Sequence, residues 1–175
     1  MLRFSPVTER DFDEVYSKMT SAFPYEERRD SYDEKECLKD KRFKLLSIYD
    51  NDIVVGFTAL WVLDGFVFLE HIAIDEDKRS SGYGSKAIEL IKTEFNLPVI
   101  LEAEAPVTEQ QIKRISFYKR LGFTVNDYDY TQPSYHSGEG VPLMLLSFPE
   151  PMTDCDFNKF IEETRKSAYK DTSSV

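Results

Sequence analysis

The chain has 175 residues, of which 32 are acidic and 22 basic, giving a net charge of -10. That balance excludes a nonspecific nucleic-acid binder and a protein that docks on anionic lipid, since both need a basic surface; a cationic partner is favoured instead. With 41% hydrophobic and 14% aromatic residues the chain is no disordered segment, and its length fits one folded domain.

The only cysteines, Cys37 and Cys155, stand far apart. They form neither a secreted disulfide framework nor a zinc motif, and they read as free thiols in a reducing compartment. His71 and His136 lack the spacing of a ligand pair, so no metal is expected. The longest apolar run, Ile53 to Leu63, is too short to cross a bilayer. The expectation is a cytoplasmic protein.

In chain order, Leu2 to Val7 reads as a short strand. Phe12, Val15, Tyr16, Met19 and Phe23 then fall on one helical face, with Thr8 or Asp11 as cap and Pro24 as stop. The charged stretch from Tyr25 to Arg42 holds one weaker helix around Asp33 to Leu38. Phe43 to Tyr49, Ile53 to Leu63 and Phe66 to Ile74 are strand-like runs. Asp50-Asn51-Asp52 and Asp64-Gly65 turn the chain between them, so the three predict an antiparallel meander. A polar turn leads into a helix from Gly82 to Phe95. A strand over Leu97 to Ala105 and a helix over Glu109 to Leu121, closed by Gly122, come next. Phe123 to Tyr130 and Val141 to Phe148 are the last predicted strands. Asp156 to Tyr169 forms an amphipathic helix, followed by a frayed tail. The order predicts an α+β domain with a mixed sheet.

The most informative segment is Ile72 to Lys86, where a buried strand runs through a polar turn into Gly82-Tyr83-Gly84 at a helix start. Unpaired N–H groups and the positive end of the helix dipole make such a start a phosphate site, and Lys78 and Arg79 add charge. Gly82-x-Gly84-x-x-Ala87, with Glu102 twenty residues on, also fits a dinucleotide-binding string. A strand of that fold ends almost at the first glycine, however, whereas Gly82 comes eight positions after Ile74. A Walker A loop would need Gly-Lys-Ser/Thr, which is absent.

Arg79-Ser80-Ser81-Gly82-Tyr83-Gly84 instead resembles the acyl-CoA pyrophosphate turn, Arg/Gln-x-x-Gly-x-Gly/Ala, of the GNAT-type N-acetyltransferases. Downstream, Phe117-Tyr118-Lys119-Arg120-Leu121-Gly122-Phe123 resembles a second segment of the same superfamily, in the right order and with a strand between. The resemblance spans about Leu2 to Phe148. It implies a GNAT-like fold with a mixed, mostly antiparallel sheet of about seven strands flanked by helices. It also implies a domain over 1–148, with 149–175 as an extension carrying an extra helix packed on it. The implied co-substrate is acetyl-CoA. By the same resemblance Ile72, Ala73 and Ile74 at the strand end, Arg79, Ser80, Ser81, Gly82, Tyr83, Gly84 and Ser85 in the turn, and Tyr118 are expected to hold it. Many relatives dimerise, which makes a homodimer an expectation too.

Amide formation from a thioester needs a neutral amine, and an alkyl amine of pKa about 10.4 is charged at neutral pH. Glu70 is the lone carboxylate in the run Phe66 to Ile74. Desolvated by Phe68, Leu69 and Ile72, it is the candidate base, with a structural Glu–Arg pair as the other reading of the same residue. His71 reads as a hydrogen-bonded core histidine. The resemblance makes Tyr118 the proton donor to the departing thiolate. Glu102 and Glu104, two apart on one strand, would share a face and suit a cationic acceptor. Tyr25 in the early loop, and Tyr130 and Tyr135 near the last one, are further candidates for acceptor contact. The expected reaction is direct transfer of acetyl to a primary amine in a ternary complex; a non-catalytic acyl-CoA-binding regulatory module would carry the same turn.

Overall fold

Two turns set up the strands. Asn51 at φ +55° and Gly65 at φ +84° adopt the left-handed conformation that tight hairpins require. The computed structural model describes residues 1–136 and 138–170; of the frayed tail expected at 170–175, all but Lys170 lies outside them. Its elements are β1 (Leu2–Pro6), α1 (Phe12–Ala22), α2 (Ser31–Cys37), β2 (Phe43–Asp50), β3 (Ile53–Leu63), β4 (Phe66–Ile74), α3 (Tyr83–Phe95) and β5 (Val99–Ala103). They continue with α4 (Glu109–Arg120), β6 (Thr124–Asn126), β7 (Thr131–Gln132), β8 (Val141–Pro142), β9 (Met144–Phe148) and α5 (Asp154–Lys166). Short 3-10 turns occupy Tyr25–Glu27 and Glu76–Lys78. Seven strands form one sheet in the order β1-β2-β3-β4-β5-β9-β6, and β7 pairs with β8 separately. The α+β class, the mostly antiparallel sheet and the additional C-terminal helix are as expected.

The last strands are shorter than the sequence suggests. Pairing stops at Asn126 because Asp127 and Asp129, poor strand formers, follow it. The run Val141 to Phe148 is split at Leu143 into β8 and β9, and Leu143 N–H continues the β7–β8 register by donating to Tyr130 O at 3.2 Å.

Two compact units divide the chain, Met1–Val62 with Leu69–Asn96 and Leu63–Phe68 with Leu97–Val175. In the first, β1 runs antiparallel to β2 with Phe4 opposite Ile48. Phe12, Val15 and Met19 bury the inner face of α1. Ile48, Val55 and Ala87 form a core against which Leu2, Phe4, Ile72, Ile74 and Tyr83 pack. Gly56 is required on β3, since a Cβ there would lie 2.2 Å from Ala73 O.

In the second unit β9 is antiparallel to both β5 and β6, with Leu146 opposite Leu101 and Val125. Both of its helices begin with capping boxes, Thr108 with Gln111 for α4 and Thr153 with Asp156 for α5. Gly122 at φ +84° ends α4, and Phe123 N–H reaches back to Tyr118 O at 3.1 Å. Phe160 of α5 is fully buried against Phe66, Phe68 and Tyr130, a burial that contributes about 1.5–3 kcal/mol.

Candidate active site

In the first unit the end of β4 passes into the turn that precedes α3. Ser80 at φ +63° and Gly82 at φ +78° are both left-handed. A glycine takes that conformation freely, so Gly82 sets the bend at the N-cap of α3. No side chain caps this helix. The N–H groups of Tyr83, Gly84 and Ser85 therefore lie in a first turn that offers them no intrahelical acceptor, which is the arrangement that binds an anion. Arg79 Nε–H donates to Ile74 O at 3.1 Å, holding the guanidinium beside the strand end. Ala73, Ile74 and Arg79 line a cavity of about 370 Å³ together with Lys18, Phe57 and Asp75. Lys18 pairs with Asp75 at 2.6 Å. Tyr83 is turned elsewhere: its hydroxyl donates to Asp50 Oδ2 at 3.0 Å, and that bond raises the phenol's pKa.

Glu70 departs from the expectation of a base flanked by apolar side chains. Its Oε1 accepts from Arg29 Nη2 at 2.6 Å, and its Oε2 accepts from Arg29 Nη1 at 3.2 Å and Trp61 Nε1 at 3.1 Å. The side chain has no exposed surface. Arg29 also reaches Glu34 Oε2 at 2.8 Å, and Glu34 is equally buried. Burial pushes the Glu34 carboxyl above its ordinary value, with Arg29 pulling the other way. Of the two readings that the sequence allowed for Glu70, this geometry is that of the structural Glu–Arg pair. Arg29 and Glu34 were not among the expected site residues. The available signal was the pair Arg28-Arg29 in an otherwise acidic stretch, facing the requirement that a buried carboxylate find a cation.

His71 is 4% exposed, and its Nε2–H donates to Glu27 O at 2.8 Å, with the ring 4.6 Å from that of Phe23. It is the hydrogen-bonded core histidine that the sequence suggested. Tyr25 stands on the exposed 3-10 turn of the same segment, with the Arg28 guanidinium 5.8 Å from its ring.

The second unit holds Tyr118, Glu102, Glu104, Tyr130 and Tyr135. Tyr118 contacts the edges or faces of Phe117 and Phe123 at 5.2 and 5.6 Å. Burial pushes its phenol up to about 12, partly offset by Arg114. Glu102 accepts hydrogen bonds from the hydroxyls of Tyr130 and Tyr169 and from Gln132 Nε2. Burial, and then the Glu102 charge, raise the Tyr130 phenol. Tyr135 packs its ring 5.2 Å from that of Tyr169. Glu104 does not share these donors. It lies past the end of β5, half exposed, and pairs with Arg114 at 3.2 Å. Strand alternation predicts a common face for Glu102 and Glu104 only while the strand continues, and here it ends at Ala103.

Among the described residues no group of three or more His, Cys, Asp or Glu side chains is arranged to hold a metal ion, and no helix is long and apolar enough to cross a membrane.

Residues 12–123 match the model of the acetyltransferase (GNAT) family. The Bacillus subtilis protein YjbC, assigned as an acetyltransferase, is 29% identical over 160 residues, covering 89% of this chain and 79% of that protein. A solved GNAT-family acetyltransferase from Bacteroides thetaiotaomicron is 31% identical, covers 95% of this chain and 98% of its own, and superposes with a TM-score of 0.89. A more distant structure, an aminoglycoside 6'-N-acetyltransferase complexed with coenzyme A, shares the fold at 16% identity and a TM-score of 0.59, over 87% of this chain and 99% of that one. With the glycine turn at α3 and the sheet in place around it, the chain belongs to the GNAT family of acetyltransferases.

Proposed function

We propose that this acetyltransferase uses acetyl-CoA and transfers its acetyl group directly to a primary amine in a ternary complex. The observation that carries the reading is the uncapped start of α3 behind Arg79, with left-handed Ser80 and Gly82 opening the backbone to an anion. The pyrophosphate of acetyl-CoA would be held by the N–H groups of residues 83–85 and by Arg79, and the strand end at Ile72, Ala73 and Ile74 would take the pantetheine arm. The helix dipole adds about 0.3–1 kcal/mol, so direct N–H contacts must supply most of the affinity.

In the reaction the amine nitrogen forms the C–N bond while the C–S bond breaks, and one proton passes from nitrogen to the medium or to sulfur. Tyr118 suits the leaving group as a hydrogen-bond donor. A phenol at about 12 stays protonated across the working range. Complete transfer to a thiolate of ordinary thiol pKa, about 8.5, is uphill by about 5 kcal/mol, so donation of a hydrogen bond is the role this phenol can fill. Glu70 is assigned as the anchor of the segment carrying Arg29, and the amine enters as its small neutral fraction. Glu102 with Tyr130, and Tyr25 and Tyr135, are assigned to the acceptor. The relative complexed with coenzyme A acts on aminoglycosides, which are amine-bearing molecules. A cytoplasmic location is in keeping with Cys37 and Cys155, neither of which is in a disulfide.

The test is thermal shift with acetyl-CoA, followed by CoA release with a panel of amines. Acetyl-CoA should raise Tm, at least one amine should release CoA, and Gly84→Val should abolish the shift by blocking the first turn of α3. An unchanged shift in Gly84→Val would overturn the assigned cofactor site. Binding without turnover on any amine would leave an acyl-CoA-binding module.

A further inference from the structure

Tyr169 lies three residues past the end of α5, outside the part of the chain, 12–123, that matches the family model. Its backbone N–H donates to Thr164 O at 2.9 Å, a turn that follows directly on the helix. That turn delivers the phenol to Glu102, 2.7 Å from each carboxylate oxygen. Gln132 Nε2 bridges the pair, at 2.8 Å from Glu102 Oε2 and 3.1 Å from the Tyr169 hydroxyl. The Tyr130 hydroxyl donates to Glu102 Oε1. Tyr130, Gln132 and Tyr169 are all buried, so these donors are fixed rather than solvated. The ring of Tyr135 lies 5.2 Å and that of Phe68 6.3 Å from the Tyr169 ring.

Phenol and amide donors aim a carboxylate without neutralising it. A carboxylate so aimed by two tyrosine hydroxyls offers a charge-assisted hydrogen bond, which is the chemistry that recognises an alkylammonium. An ammonium held by a carboxylate keeps its proton and cannot attack a thioester. The group recognised is therefore a second cation of the acceptor, not the amine that is acylated.

We propose that Tyr169 is a positioning residue for acceptor recognition: it holds Glu102 as the binding group for a non-reacting ammonium of an aliphatic diamine or polyamine, which makes the C-terminal segment part of the acceptor site. The inference rests on the reading of the chain as an amine N-acetyltransferase.

The experiment compares wild type, Tyr169→Phe and Glu102→Gln, with spermidine and the monoamine butylamine as probes. Binding of each probe is measured by calorimetry, CoA release gives kcat and KM, and melting curves with and without acetyl-CoA are recorded on the same samples. Wild type should bind spermidine and not butylamine. Tyr169→Phe should weaken spermidine binding and raise its KM about tenfold, the effect of one hydrogen bond to a charged group, with kcat and the acetyl-CoA shift unchanged. Glu102→Gln should do the same more strongly. Wild type that does not bind spermidine, equal binding of the two probes, or a Tyr169→Phe effect confined to Tm would each overturn the proposal. The calorimetric arm needs no turnover. Absence of an acetyl-CoA shift in wild type would count against the acetyltransferase reading, whereas an intact shift with unchanged spermidine binding in Tyr169→Phe would count against the role of Tyr169 alone.

Discussion

Glu70 Oε1 lies 2.6 Å from Arg29 Nη2, and the side chains of both residues are almost wholly removed from solvent. The pair ties β4 to the segment between α1 and α2. His71, the next residue of β4, holds the same segment through Glu27 O. Two consecutive strand residues thus fix one loop, by a charge pair and by a backbone hydrogen bond.

Glu70→Gln should therefore act first on stability. Breaking a buried pair by removing one partner costs about 3–5 kcal/mol, because Arg29 loses half of its compensation. In a chain of this size that is a fall in Tm of about 10 °C. The rate per folded molecule should stay close to wild type and rise with pH as more amine becomes neutral. Melting curves and pH–rate profiles on the same two proteins check this. A stable variant whose rate falls about 10²–10⁴-fold would return the role of base to Glu70.

Glu34 makes the wild-type protein sensitive to pH in a defined direction. Its Oε1 is buried with no hydrogen-bond partner among the described residues. Burial holds its carboxyl above the ordinary value in the fold, against the pull of Arg29; Glu70 raises it further and His71 lowers it. The folded state then binds the proton more tightly than the unfolded one. This contribution is complete below the ordinary glutamate pKa of about 4.3 and is lost as pH rises through the folded value. Glu34→Gln, close in shape to the protonated acid, should remove the loss, so that its Tm declines less than that of wild type from about pH 5 upward. Parallel Tm–pH curves for the two proteins would show that Glu34 binds no extra proton in the fold.

Tyr118→Phe should lower kcat and leave acetyl-CoA affinity nearly unchanged, since the hydroxyl matters only as the thiolate forms. The raised phenol, at about 12, predicts no inflection from Tyr118 in the pH–rate profile below about pH 11. Steady-state kinetics with a binding titration decide the point, and full kcat in the variant would leave Tyr118 as a packing residue.

Gly56→Ala should destabilise the first unit. The new Cβ would meet Ala73 O at 2.2 Å, and a backbone oxygen within a sheet cannot swing aside. A cost of about 1–3 kcal/mol is expected, read as a lower Tm. A variant with wild-type Tm would mean that β3 and β4 separate there without penalty.

Much of the fold is legible in the sequence, and for a local reason. Hairpin turns at Asp50-Asn51-Asp52 and Asp64-Gly65, the helical face Phe12, Val15, Met19, and the cap at Gly122 are encoded by neighbours a few residues apart. The glycine turn is local in the same sense: Arg79, Gly82 and Gly84 define the backbone path at the start of α3 whatever surrounds them. The partners of polar side chains follow different physics. Glu70 faces Arg29 across 41 residues of sequence, and Glu102 meets Tyr169 across 67. No periodicity reports which distant donor reaches a carboxylate, although burial guarantees that some donor must. The class of fold, the glycine turn and the family resemblance are readable from residue order, because they rest on spacing along the chain. The Glu70–Arg29 pair, the parting of Glu102 and Glu104 at the end of β5, and the reach of the C-terminal segment to Glu102 emerge only in the folded chain. Each of those outcomes depends on which buried groups the packing brings within hydrogen-bonding distance.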